Sequence, residues 1–158
     1  MSDKINPIRD TDAQARMLAR RILSDARFGA LGVIDPTSGS PMVTRIAVAT
    51  AADGTPLTLI SDLSLHTTAL GKTPICSLLI GEPGPKGDPL SHRRLTLRCR
   101  AEPIGKLGLR ARYLSLHPKA QLYFDFEDFQ MVALRINSAF LNGGFGKAYH
   151  LTAAELIL

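Results

Sequence analysis

The sequence predicts a mainly β protein, an antiparallel barrel of about six strands with helices packed around it. Three observations carry that reading. Short β-rich runs follow one another from Phe28 to Leu97, separated by Gly, Pro and Asp. No crossover helices fall regularly between them, which argues against a parallel α/β sheet. A chain of 158 residues with 45% hydrophobic and 21% charged residues holds one real core, is short for two domains and lies far from the composition of disorder. One domain over residues 1–158 is expected, with a helix at about 11–26, a barrel at about 28–146 and a short tail at 147–158.

The elements follow in order. From Asp10 to Ala26, Ala15, Leu18, Ala19, Ile22, Leu23 and Ala26 recur at helical spacing, with Asp10 or Thr11 as N-cap and Arg16, Arg20 and Arg21 on a solvated face. The runs "FGALGVID", "PMVTRIAVAT", "PLTLIS", "ICSLLIG" and "RRLTLRCRAEPI" read as strands. Asp53-Gly54 suits a hairpin turn, which makes the second and third strands antiparallel neighbours. Leu65 to Gly71 reads as a short helix capped by Ser64 or Asp62. "GEPGPKGDPLSH" lacks the ending of a phosphate loop and reads as a mobile connection. A further helix over "LGLRARYLSLHP" stops at Pro118, and "DFQMVALRINSAFLN" supplies one or two late strands before the turn "GGFG".

Composition also bounds function. A net charge of +5 favours an anionic partner, but the arginines are dispersed and form no basic run, so nucleic acid is not expected. No stretch has the length of a membrane span and the first residues lack the apolar centre of a signal peptide, so a cytoplasmic protein is expected. Cys76 and Cys99 sit in apolar runs and read as buried small hydrophobes. The four histidines show no zinc spacing and no catalytic triad is visible, so no metal site is expected and a cofactor would carry any difficult chemistry.

Three stretches hold candidate binding residues. Arg45 stands among small residues on one face of "MVTRIAVAT", where a flat ligand has room and the guanidinium can meet its phosphate or carbonyl. In "RRLTLRCRA", Arg94, Thr96, Arg98 and Arg100 share one face, read chiefly as wet, while Leu95, Leu97, Cys99 and Ala101 face the core. In "LISDLSLHTTAL" a strand ends near Ser61 and a helix begins, and the hydroxyls and imidazole there serve equally as a plain cap or as donors to a phosphate. Asp62 would oppose a phosphate unless it is turned away.

The succession "PMVTRIAVATAADGTPLTLISDLSLHTTAL", "RRLTLRCRAE" and "RYLSLHPKAQLYFDFEDFQMVALRINSAFLNGGFGKA" resembles the pyridoxamine 5'-phosphate oxidase-like, FMN-binding split-barrel superfamily, and most of all its haem-utilisation branch of the HugZ and HutZ type. The resemblance covers roughly residues 15 to 150. It implies a six-stranded antiparallel Greek-key split barrel and a homodimer with FMN in clefts at the subunit interface. It places Arg45, Ile46, Ile60, Ser61, His66, Thr67 and Arg94 at cofactor positions. His66 and Thr67 replace an Arg-Lys pair that grips the phosphate in the classical oxidases, and Thr50 replaces a lysine. Tyr113 keeps the aromatic of the substrate segment, whereas His117 and Gln121 replace its arginine and serine, so pyridoxamine phosphate is not the expected substrate. The resemblance therefore implies an FMN-dependent oxidoreductase acting on another small molecule. The alternatives are a haem-binding or haem-degrading protein, for which His150 is the late candidate axial ligand, and a flavin-binding protein without turnover.

Overall fold

In the computed structural model, which describes residues 6–158, nine strands form one sheet with four α-helices around it. The chain runs β1 (Ile8–Arg9), α1 (Ala13–Asp25), β2 (Phe28–Ile34), β3 (Pro41–Ala47), β4 (Ala49–Thr50), β5 (Pro56–Ser61), α2 (Leu65–Lys72), β6 (Ile75–Ile80), β7 (Arg94–Ile104), α3 (Arg110–Leu116), β8 (Phe129–Asn142), β9 (Ala148–Thr152) and α4 (Ala153–Leu156). The spatial order is β1-β9-β8-β7-β6-β2-β3, with β5 on the other side of the first half of β8 and β4 beyond it. Every pairing is antiparallel except β1 with β9. The sheet curls but does not close, because β3 and β5 approach within 8 Å, Cα to Cα, without sharing a ladder.

The expectation of six strands thus undercounts, and two physical causes account for it. The run "PMVTRIAVAT" is not one strand. The Val48 N–H leaves the ladder to donate to the Arg27 carbonyl at 2.8 Å, and the Val48 carbonyl meets His117 Nε2 at 2.8 Å. Residues 41–47 therefore pair with β2, and only Ala49 and Thr50 reach the β5 hairpin, which turns at Gly54 with φ +94°. Residues 147–158, expected as a tail, form β9 and α4. Tyr149, Leu151 and Leu156 are all buried there, and burial at alternate positions is what a sheet position needs.

Alternation also builds two cores. Along β8, Val132, Leu134 and Ile136 enter the main core with Leu31, Leu78 and Leu97. Met131 and Ala133 enter a smaller one with Leu57, Leu59, Tyr113 and Phe124. Helix α1 covers the main core through Ala15, Ala19 and Leu23, as its spacing predicts. Its cap is Asp12, one residue after Thr11 and two after Asp10, the expected candidates. Asp12 Oδ1 accepts from the Ala15 N–H at 2.7 Å, while the Thr11 hydroxyl donates to the His150 carbonyl. Cys76 and Cys99 lie directly opposite each other in the β6–β7 ladder, both buried, and burial pushes the Cys76 thiol up to about 11 and the Cys99 thiol higher still. They behave as core residues at neutral pH.

Candidate functional site

The strand-to-helix junction after β5 gathers three of the sequence-predicted residues. Ser61 ends the strand, Ser64 occupies the N-cap of α2, and its hydroxyl makes no capping bond. The Thr67 hydroxyl donates to the Ser61 carbonyl at 2.6 Å, and Ser61 Oγ accepts from the Leu63 N–H at 3.1 Å. His66 Nδ1 lies 3.0 Å from the hydroxyl of Thr44, a partner that nothing in the sequence singled out. When that hydroxyl donates to Nδ1, Nε2 carries the proton and remains free to donate outward. Half-burial holds the His66 imidazole below its usual range, so at neutral pH it offers a hydrogen bond rather than a charge. Gln130 Nε2 donates to the Asp62 carboxylate. The negative charge at this helix start is therefore already engaged. Among the described residues the backbone N–H groups of Leu65 and His66 have no partner.

Arg45 is not part of that cluster. Thr44 and Arg45 are neighbours on a strand, so their side chains leave opposite faces, and His66 is on the Thr44 side. Arg45 instead stacks over Phe28, 5.5 Å from the ring centroid, at a cleft on the outer face. Ile46 and Ile60 are both 4% exposed and point into the main core, so only their backbone is available to a ligand.

The outer face carries a second constellation. Pairing registers align Arg45, Ala30, Leu79, Thr96, Phe140 and His150 in one row across β3, β2, β6, β7, β8 and β9. Five strand spacings of about 4.8 Å separate its ends by roughly 24 Å, so Arg45 and His150 cannot meet one small group. At the β9 end, the His150 ring packs edge-on against Phe140 with centroids 4.1 Å apart, and Arg98 lies over the same ring at 4.7 Å. Arg94 and His150 line one cavity of about 190 Å³. Arg94 is steadied there by donating to the carbonyls of Leu90, at 2.8 Å, and His92, at 3.1 Å. Arg98 and Phe140 were not expected as site residues. The alternation of "RRLTLRCRA" placed Arg98 beside Arg94, but which strand lies next to it is a matter of topology. Toward β2 and β3 the face turns apolar, with Phe28, Ile34, Val43, Ile75 and Leu79 all exposed.

Tyr113 and His117, the expected substrate residues, lie elsewhere. Tyr113 is 1% exposed in the smaller core, its hydroxyl has no hydrogen-bond partner, and burial pushes its pKa up to about 12. His117 stacks on it, 5.0 Å between centroids, and serves the Val48 carbonyl. Tyr113 is closed off from a ligand, and the Nε2 of His117 is taken up by the backbone. Because the Tyr113 hydroxyl is buried without a partner, Tyr113→Phe is expected to leave stability unchanged or raise it by up to about 1 kcal/mol. Urea denaturation checks this, and a loss above that size would reveal a hydrogen bond that the geometry does not show. Among the described residues no group of three His, Cys, Asp or Glu gathers as a metal cage, and no helix is long and apolar enough to cross a membrane.

A curled sheet with an unpaired seam, one helix across its main core and polar clusters at a strand-to-helix junction and on its outer face defines a protein of the split-barrel class. The family model described as "CREG, beta-barrel" matches residues 10–157, and the chain belongs to that family. It is similar to the protein Atu2129, of unknown function, from Agrobacterium tumefaciens, at 34% identity, over 94% of this chain and 62% of that one, with a TM-score of 0.83. It is likewise similar to a haem-binding protein from Mycobacterium smegmatis, at 28% identity, over 92% of this chain and 61% of that one, with a TM-score of 0.83. A curated relative, the chloroplastic non-canonical heme oxygenase HOZ of Arabidopsis thaliana, is 29% identical over 79% of this chain. The chain spans 42% of the length of that relative.

Proposed function

We propose that this protein binds haem on the outer face of its sheet. The observation that carries the reading is the stack of Arg98 on Phe140 on His150, at 4.7 Å and 4.1 Å, beside Arg94. A planar, largely apolar ligand with two carboxylates needs a flat apolar bed, cations at its edge and one imidazole, and this face offers all three within neighbouring strands. Haem supplies a redox-active iron. His150 is the residue to ligate that iron, Arg94 and Arg98 are placed to meet carboxylates, and Phe140 fixes the orientation of the imidazole. The haem-binding and haem-oxygenase relatives support the same reading.

The exposed apolar residues of β2, β3 and β6 fit a second copy of the chain, so a homodimer with the ligand near its interface is part of the proposal.

A second reading, FMN as the ligand, rests on the α2 start. Two free backbone N–H groups, the His66 imidazole and an already engaged Asp62 suit a phosphate. Ser61 and Thr67 would shape that seat, Arg45 would serve from the opposite face only through the dimer, and the protein would then be a flavin-dependent oxidoreductase.

Titration with haemin and with FMN separates the two. Haemin is expected to give a shifted Soret band at micromolar concentration, and His150→Ala to weaken binding about tenfold or more, equivalent to about 1.4 kcal/mol. His66→Ala should leave haemin binding unchanged. Retention of full haemin affinity by His150→Ala overturns the haem reading. FMN binding that is lost in His66→Ala, without haemin binding, establishes the other.

A further inference from the structure

Helix α1, the turn between β4 and β5, α3 and the last residues surround a cavity of about 260 Å³ that none of the haem or flavin candidates lines. Three arginines reach it: Arg20 and Arg21 from α1, and Arg112 from α3. Among the described residues no carboxylate lies within 4 Å of any of them, since the ion pairs involve Arg16, Arg110 and Arg135 instead. Two of the three are held by backbone carbonyls rather than by counter-ions. Arg20 Nε donates to Glu155 at 2.9 Å, while Arg112 donates from Nε to Thr50 and from Nη2 to Ala51 at 3.2 Å. Each guanidinium has five N–H donors. Arg20 therefore keeps its four terminal N–H groups in hand, and Arg21 has no hydrogen-bond partner among the described residues.

The rest of the lining is mixed, with Leu23, Ala51, Leu156 and Leu158 beside Ser24 and Thr50, and its one acidic side chain is Asp53. That carboxylate accepts from the Thr55 N–H at 2.8 Å, and hydrogen bonds to Thr55 hold it below the usual carboxylate range. It is engaged by its own turn and leaves a net excess of positive charge in the cavity. Three arginines lining one small concave space with partly apolar walls meet the needs of an oxyanion attached to a compact apolar body. We infer that this cleft is a binding site for a small organic phosphate, the phosphate set between Arg20, Arg21 and Arg112 and the apolar body against Leu23 and Leu156. The site is independent of the haem reading, because it shares no residue with it.

Calorimetric titration of the full chain with phenyl phosphate, at constant ionic strength set with sodium chloride, tests this. Saturable binding in the millimolar range or tighter is expected, with inorganic phosphate weaker. Arg21→Glu should abolish binding and Arg21→Lys should retain most of it, since Arg21 is exposed and holds no structural contact. Haemin titration of the same variants is expected to be unchanged, which keeps a failure here distinct from a failure of the haem proposal. The inference is overturned if phenyl phosphate gives no saturable heat, if Arg21→Glu binds as well as the unaltered protein, or if inorganic phosphate binds equally well.

Discussion

Leu134→Ala is expected to destabilise the protein by about 2–5 kcal/mol, the usual cost of emptying a leucine site in a tight core. Leu134 is wholly buried on β8, the strand that pairs with β5, β7 and β9 and so holds the two halves of the sheet together. It shares the main core with Leu31, Leu78 and Leu97, which come from three different strands. They cannot all move inward to fill the void, because each is fixed in its own ladder. For a domain of this size each kcal/mol corresponds to about 2–4 °C, so the melting temperature should fall by roughly 5–20 °C. Leu79→Ala is the matched comparison. Leu79 is 43% exposed on the outer face, and its loss should change the stability of the isolated chain by only about 0.5 kcal/mol. Equal effects from the two substitutions would mean that the assignment of inner and outer faces is wrong.

That assignment is also where the sequence was most informative. Side-chain alternation in "RRLTLRCRA" puts Leu95, Leu97 and Cys99 inside, and all three are buried. Likewise the apolar stripe of α1, the Asp53-Gly54 turn and the stop at Pro118 follow from local chemistry that a short window contains. What eluded the sequence was non-local. The break at Val48 depends on Arg27 and His117, residues 21 and 69 positions away. No window around "RIAVAT" contains that information.

The candidate site divides along the same line. His66, Thr67 and Ser61 are close in sequence and meet in space. Arg94 and His150 are 56 residues apart by their numbering and meet only because β7, β8 and β9 are adjacent. His150 was legible only as a late histidine, and Phe140, which orients it, carried no signal at all. Tyr113 illustrates the opposite case. A tyrosine in a short amphipathic helix is as suited to a core as to a ligand, and which of the two it serves is decided by Leu59, Phe124 and Met131 arriving from elsewhere.

Gly81→Ala is expected to be nearly as damaging as the leucine truncation, for a different reason. Gly81 follows β6 with φ +101°, a backbone conformation that side-chain-bearing residues rarely adopt. A Cβ built there would also stand 2.6 Å from the Arg93 carbonyl oxygen and 2.8 Å from the Arg94 Cα. Both are backbone atoms of the facing strand, so no rotamer change relieves the contact. Strain at the unfavourable φ costs about 1–3 kcal/mol, and overpacking adds about 1–3 kcal/mol. A total loss of about 2–6 kcal/mol should therefore appear in urea denaturation. Gly84→Ala is the control. Its nearest contact would be the His92 Cε1 at an ordinary 3.5 Å and its φ is not positive, so its effect should stay within about 0.5 kcal/mol. The displaced atoms lead directly into Arg94, whose guanidinium is steadied by Leu90 and His92. Gly81→Ala should thus weaken haemin binding as well as stability, whereas Gly84→Ala should alter neither. Normal stability in Gly81→Ala would show that the β6–β7 junction yields where the geometry says it cannot.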